Sequence, residues 1–124
     1  TRSMLGVKAP LYCTGIGKAM LAYLPRETVE AVIAKGLKKY TENTIVEPEA
    51  LYHELAAIQA RGYSIDNMEH EFGIKCIGMP LRNHRGQVVA GISISGPSLR
   101  FSDDKIQVYA EKLQAVIHQI EEKL

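Results

Sequence analysis

The sequence has no surplus of charge of either sign. Fifteen Lys and Arg residues stand against fourteen Asp and Glu residues among 124 residues, which leaves a formal charge of +1. This balance excludes a strongly basic surface for nucleic acid or anionic lipid as the main property of the chain. No apolar run approaches the roughly 18 residues of a membrane-spanning helix, so we expect no membrane association.

Cysteine is also scarce, and the sequence contains no metal-binding motif. Cys13 and Cys76 lie far apart, in a spacing that fits neither a disulfide framework nor a zinc site. The segment Glu69-His70-Glu71 is interpreted as a solvated loop rather than a metal site. We expect no metal, no cofactor and a reducing, cytoplasmic location. No signal peptide is visible, and because Thr1 is not an initiator residue we expect a fragment.

The hydrophobic pattern predicts one domain of mixed helix and sheet. Helices are expected over 14–23, from Pro25 to a stop at Gly36, over 48–62, and from Ser102 to the C-terminus. Strands are expected over 63–66, 74–82 and 87–95, the last two forming a hairpin through residues 83–86. Helices beside an antiparallel sheet define an α/β or α+β class. The apolar stripe of the last helix is expected to comprise Ile106, Tyr109, Leu113, Val116, Ile117, Ile120 and Leu124.

The predicted hairpin has one bulky face and one face of small residues. With Arg82 placed opposite Gln87, the bulky side chains alternate with the small ones along both strands. A slip of one residue, such as a bulge at Gly86 would allow, mixes the two sets, and the pattern favours the register without it. The small face then pairs Gly78 with Gly91, Cys76 with Ser93, and Ile74 with Ser95.

Several interpretations of the small face remain open from the residues alone. It either leaves room for a ligand above a floor of hydroxyls and a thiol, or it lets a helix pack closely. The glycines after Thr14 either expose helix N–H groups to an anion or simply begin a capped helix. Asp66 either caps a turn or points into the pocket. Cys76 would need a neighbouring base to act as a nucleophile, and nothing places His70 or His84 beside it.

Four segments in order carry a resemblance to a known family. They are Ala9-Pro-Leu-Tyr-Cys-Thr-Gly-Ile-Gly-Lys-Ala-Met-Leu-Ala22, Arg61-Gly-Tyr-Ser-Ile-Asp66, Gly73-Ile-Lys-Cys-Ile-Gly-Met-Pro80 and Ser93-Ile-Ser-Gly-Pro97. Together they resemble the C-terminal effector-binding domain of IclR-type bacterial transcription regulators, over essentially residues 5–124.

The resemblance implies a GAF-like fold, with a central antiparallel sheet flanked by helices, and a function in transcriptional repression without enzymatic activity. It implies that residues 1–124 form an effector-binding domain that is incomplete at its N-terminus, that DNA is bound only through an absent winged helix-turn-helix domain, and that the protein is a homodimer or homotetramer. The implied effector is a sugar-derived 2-keto acid such as 2-keto-3-deoxygluconate. The segment near Met4 and Leu5 is implied to line the pocket. The implied ligand contacts are Thr14, Gly15, Ile16, Gly17, Asp66, Cys76, Ser93 and Ser95.

Two other functions are set against this one. The first is a hydrolase or isomerase that uses Cys76 as its nucleophile. The second is a dimerisation module in which the apolar stripe of the last helix pairs with a partner. For the sensor, we expect the loop over residues 67–73 to become ordered over the bound ligand.

Overall fold

The computed structural model describes residues 10–124, and the segment containing Met4 and Leu5 lies outside the described residues. Within these described residues, four helices and three strands follow one another in the order helix, helix, helix, strand, strand, strand, helix. They are α1 (Gly15–Leu21), α2 (Arg26–Lys35), α3 (Pro48–Arg61), β1 (Ser64–Asn67), β2 (Ile74–Arg82), β3 (Val88–Pro97) and α4 (Asp103–Glu121), with a 3-10 turn at Ser98–Arg100.

The three strands form one antiparallel sheet in the order β1-β2-β3. β2 is the central strand, and consecutive residues from Ile77 to Leu81 are buried, so both of its faces are covered. Helix α4 packs on one face and helix α1 on the other. The predicted class, a mixed fold with helices on an antiparallel sheet, is confirmed.

The bulky face of the hairpin carries the core beneath α4. Ile77, Met79 and Leu81 of β2 are buried there. The helix contributes one buried residue from each of four successive turns, namely Ile106, Ala110, Leu113 and Ile117.

The predicted stripe of α4 is partly wrong, because Val116 is 45% exposed and Leu124 is also exposed. A helix of 3.6 residues per turn presents a limited arc to a sheet, and Ala110 occupies that arc instead. The stripe packs inside the domain. This removes the feature on which the dimerisation module depended.

The face of small residues is covered by α1, with α2 and α3 behind it. A Cβ atom added at Gly78 would collide with the main-chain carbonyl of Gly15, so the two backbones touch. Behind α1, a second core joins the three helices through Leu21, Val29 and Leu51. Close helix packing therefore describes the part of the small face around Gly78 correctly.

The register of the hairpin is displaced by two residues from the predicted one. Cys76 lies opposite Ser95 rather than Ser93, and Gly78 lies opposite Ser93 rather than Gly91. The register without a slip, which the pattern favoured, is therefore wrong.

Two separate irregularities produce this displacement. The Asn83 N–H donates to the Gln87 carbonyl at 3.0 Å, and Gly86, at φ 77°, closes the turn onto the Asn83 carbonyl. This is a three-residue loop with a bulged glycine, in which the left-handed φ suits glycine. A further shift lies between Leu81 and Arg82. Since two shifts of one residue restore the alternation, each face keeps its predicted members beyond the second shift, over residues 74–81 of β2 and 90–95 of β3. Val88, predicted opposite Leu81 on the bulky face, lies opposite Arg82 instead.

None of the helices in the part of the chain from residue 10 onward combines the length and apolar character needed to cross a membrane.

Candidate functional site

One polar side chain from each strand forms a row across the sheet. Asp66 of β1 pairs directly with Cys76 of β2, and Cys76 pairs directly with Ser95 of β3. The two neighbours of the thiol act on its pKa in opposite directions, since Asp66 raises the pKa and the Ser95 hydroxyl lowers it. A Cβ atom added at Gly15 would come within 2.9 Å of the Cys76 Cβ. The row therefore lies on the α1 face of the sheet, beside the start of α1.

The next row along the sheet holds α1 in place. It consists of Ser64, Gly78 and Ser93. The buried Ser64 hydroxyl donates to the Gly15 carbonyl at 2.6 Å. Ser93 is half-buried, as is Cys76, while Ser95 is exposed. Close packing at Gly78 thus coexists with partly accessible residues at Cys76 and Ser93 and an exposed one at Ser95.

The first turn of α1 is a capped helix N-terminus. The Thr14 hydroxyl accepts from the Gly17 N–H at 3.0 Å and donates to the Pro10 carbonyl at 2.8 Å. The Gly17 N–H is therefore already satisfied, as are both roles of the Thr14 hydroxyl. Among the described residues, nothing accepts from the N–H groups of Gly15 and Ile16, which are the donors that a helix leaves free at this end.

Asp66 combines the two roles that spacing left open. Its Oδ1 atom accepts from the Glu69 N–H at 2.8 Å and so caps the turn after β1. Its carboxylate also faces the Cys76 thiol. The side chain is only 4% exposed, and burial raises the pKa of this carboxyl although the Glu69 N–H, the Lys18 ammonium and the Cys76 thiol act in the opposite direction.

Cys76 is a poor nucleophile in this setting. Burial, followed by the nearby negative charge of Asp66, raises its thiol pKa to about 12, so the thiolate is rare at neutral pH. The ring of His70 packs against Tyr40 with ring centroids 4.8 Å apart, and His84 lies in the exposed hairpin turn. From residue 10 onward, no cluster of His, Cys, Asp and Glu could hold a metal ion.

A buried ion cluster behind the row was not predicted from the sequence. Lys18 of α1 is 0% exposed, and its ammonium lies 2.6 Å from Glu54 Oε2 and 2.9 Å from Glu69 Oε1. Glu69 is buried as well, so the interpretation of residues 69–71 as a solvated loop is wrong for Glu69. The available signal for this burial was the position of Lys18. It stands between Gly17 and Ala19, three residues before Leu21, where a short helix meets a core.

The comparisons with known proteins identify the class first. The family model described as bacterial transcriptional regulator IclR C-terminal matches residues 1–122. The regulator KdgR of Escherichia coli is 41% identical over 120 residues, covering 95% of this chain and 45% of that protein. The chain therefore belongs to the IclR C-terminal family, whose curated relatives are transcriptional regulators and not enzymes.

Solved structures agree with this assignment. The crystal structure of Thermotoga maritima IclR superposes with a TM-score of 0.93 at 42% identity, covering all of this chain and 51% of that one. The inducer-binding domain of PobR from Acinetobacter, solved as a double mutant in complex with 3-hydroxybenzoic acid, gives a TM-score of 0.85 at 27% identity over 95% of this chain and 69% of that one. The chain spans about half the length of the curated relatives that it matches.

Proposed function

We propose that this domain binds a small carboxylic acid beside the first turn of α1, in contact with the row formed by Asp66, Cys76 and Ser95, without chemical turnover. The observation that carries the proposal is the alignment of an acceptor, a thiol and a hydroxyl across three strands, next to two helix N–H groups. The PobR domain, a relative of the same fold, was solved with 3-hydroxybenzoic acid, which also combines a carboxylate with a hydroxyl. The proposed effector is a sugar-derived 2-keto acid, specifically 2-keto-3-deoxygluconate.

Recognition of the carboxylate would use donors on both sides of the ligand. The N–H groups of Gly15 and Ile16 lie at the positive end of α1, and the hydroxyls of Ser93 and Ser95 project from β3. Hydrogen bonds to a charged group contribute about 1.5–3 kcal/mol each. Two or three of them, less the costs of ordering and desolvation, correspond to a dissociation constant between about 1 μM and 1 mM.

Recognition of the rest of the effector would fall to Asp66. A carboxylate accepts hydrogen bonds from sugar hydroxyls, and the thiol of Cys76 fills the space between acceptor and donors. Thr14 and Gly17 contribute by fixing the turn, since the Thr14 hydroxyl accepts from the Gly17 N–H and donates to the Pro10 carbonyl.

Regulation requires that the effector bind two states of the whole protein with different affinity. We propose that the whole protein is a homodimer or homotetramer and that it contacts DNA through a separate winged helix-turn-helix domain. The local event would be ordering of the loop after β1. The first half of the loop is already held, because Thr41 and Thr44 donate to the carbonyls of Met68 and Glu69. We therefore expect the effector to increase amide protection in the second half of the loop, residues 71–73. Equal protection with and without effector would contradict this mechanism.

The experiment that tests binding is calorimetric titration of the chain with 2-keto-3-deoxygluconate. Replacing Ser95 by Ala should weaken binding about tenfold or more, because one charge-assisted hydrogen bond is lost. Ser93→Ala should act in the same direction. The matched control is Ser102→Ala, at the exposed start of α4 on the opposite face, where the side chain makes no capping hydrogen bond. A folded chain that gives no heat with any sugar-derived keto acid would overturn the proposal.

A further inference from the structure

We propose that Lys18 is a positioning residue for effector recognition, which holds the Asp66 carboxylate in register with the first turn of α1. This inference rests on the proposed function, because it concerns how the same site reads its ligand. The hydrogen bonds of Lys18 go to Glu54, Ile65 and Glu69 rather than to the row itself, and Glu69 connects Lys18 to Asp66.

The Lys18 ammonium joins three parts of the fold. It donates to the Ile65 carbonyl of β1 at 2.8 Å and to Glu54 Oε2 of α3 at 2.6 Å. Its third contact is the Glu69 carboxylate, with Oε2 at 3.0 Å and Oε1 at 2.9 Å. Three donors on one fully buried ammonium thus meet three acceptors from different elements.

Glu69 passes this constraint on to Asp66. Its Oε2 atom also accepts from the Asn67 N–H at 3.0 Å, and its own N–H donates to Asp66 Oδ1 at 2.8 Å. The Thr44 hydroxyl donates to the Glu69 carbonyl from the other side. The turn over residues 66–69 is therefore closed by its side chains and fastened to α1 through a single cation.

The consequence is that two parts of the proposed site bind two parts of the effector. The α1 turn would bind the carboxylate, and Asp66 would accept hydrogen bonds from the hydroxyls. Lys18 fixes Asp66 relative to the first turn of α1. Weakening the Lys18–Glu69 contact should therefore impair recognition of the hydroxyls and leave recognition of the carboxylate intact. A residue that only stabilised the fold would not separate the two.

The test compares two ligands of equal chain length, 2-keto-3-deoxygluconate and 2-oxohexanoate, which lacks the hydroxyls. Glu69→Gln keeps the size of the side chain and an acceptor for the Asn67 N–H, but removes the charge that Lys18 holds. We expect this variant to bind 2-keto-3-deoxygluconate about tenfold more weakly, the loss typical of a displaced charged hydrogen bond, and 2-oxohexanoate with less than about a twofold change.

The matched control is Glu54→Gln, which removes the other carboxylate from Lys18 but lies on α3, away from the Asp66 turn. It should leave unchanged the ratio of the dissociation constant of 2-oxohexanoate to that of 2-keto-3-deoxygluconate. If Glu69→Gln does not fold, Lys18→Gln removes the cation itself while keeping a side-chain donor for the Glu69 carboxylate, and it should lower this ratio in the same way.

The outcomes separate the inference from the proposed function. An unmodified chain that binds neither keto acid overturns the proposed function and this inference with it. A second outcome is an unmodified chain that prefers 2-keto-3-deoxygluconate, while every variant keeps the same ratio of dissociation constants or loses the same affinity for both ligands. That outcome overturns the role of Lys18 alone.

Discussion

At the scale of single residues, the thiol of Cys76 lies in surroundings that suppress its ionisation. Burial and the charge of Asp66 raise its pKa to about 12. At pH 7.5 the thiolate fraction is then about a thousandfold lower than for a thiol of pKa about 9. We expect iodoacetamide to alkylate the native chain far more slowly than a cysteine peptide, with a rate that rises about tenfold per pH unit up to pH 9.

Cys13 does not confuse this measurement, because it is fully buried and its pKa is also raised to about 12, mainly by burial. A Cys76→Ser variant identifies the site of slow labelling by mass spectrometry. Alkylation of Cys76 at the rate of a free peptide would show that the thiol is activated.

Asp66 should make the stability of the domain depend on pH. Its folded-state pKa is raised, chiefly by burial, so the folded chain holds the proton more tightly than the unfolded chain. The resulting stabilisation is present below the ordinary aspartate pKa of about 4 and is lost as the pH rises through the raised value. The free energy of unfolding should fall over that window with a slope of at most about 1.4 kcal/mol per pH unit.

Asp66→Asn isolates this effect, because its side-chain carbonyl still accepts from the Glu69 N–H. Urea titrations between pH 4 and pH 8 should show a smaller decline for this variant than for the unmodified chain. Parallel curves for the two proteins would show that Asp66 is not the group responsible.

The residue types of the site were predictable, whereas the ion cluster behind it was not. The alternation of residues along two strands is a local property, so Cys76, Ser93 and Ser95 could be assigned to one face from the sequence. The partners of Lys18 lie 36 and 51 residues away, and a lysine in a helix is ordinarily solvated. Only the packing of α1 against α3 and the turn after β1 brings those carboxylates to it.

At the scale of elements, the close approach of α1 to β2 depends on a glycine without a side chain. A methyl group at Gly78 would collide with the Gly15 carbonyl, which is backbone and cannot move aside cheaply. Gly78→Ala should therefore lower the free energy of unfolding by about 1–3 kcal/mol or more, as measured by urea denaturation.

Gly91 provides a graded comparison on the same face. A methyl group there would meet side-chain atoms of Ile16 and Met20 at 3.0 and 3.2 Å, and these side chains can adjust. Gly91→Ala should cost less than Gly78→Ala. An equal or reversed order would mean that α1 does not rest on the sheet at Gly78.

The elements themselves followed from the sequence more closely than their pairing did. Pro48 at the start of α3 and Gly62, at φ 94° after its end, gave clear boundaries. The hairpin register was missed because a bulged glycine at Gly86 and a second shift after Leu81 are decided by twist and packing. Because the two shifts restored the alternation beyond Leu81, the assignment of Cys76, Ser93 and Ser95 to one face survived the wrong pairing.

At the scale of the whole molecule, one strand serves two cores. Ile77 of β2 points into the core under α4, while its neighbour Gly78 faces α1 and the helices behind it. Lys18 adds a link between α1, α3 and β1. Neither core can lose its sheet without exposing the other, so the described part of the chain should behave as one cooperative unit.

This cooperativity can be measured by weakening each core in turn. Leu51→Ala in the helical core and Leu113→Ala under α4 each remove a buried side chain, and each should lower the free energy of unfolding by about 2–5 kcal/mol. Val116→Ala, on the exposed side of α4, should change it by less than about 0.5 kcal/mol. In all three variants, far-UV circular dichroism and the near-UV signal of the tyrosines should give coincident urea transitions, because loss of either core removes β2 from the other. Two separated transitions in either leucine variant would show that the cores unfold independently and that the sheet does not couple them.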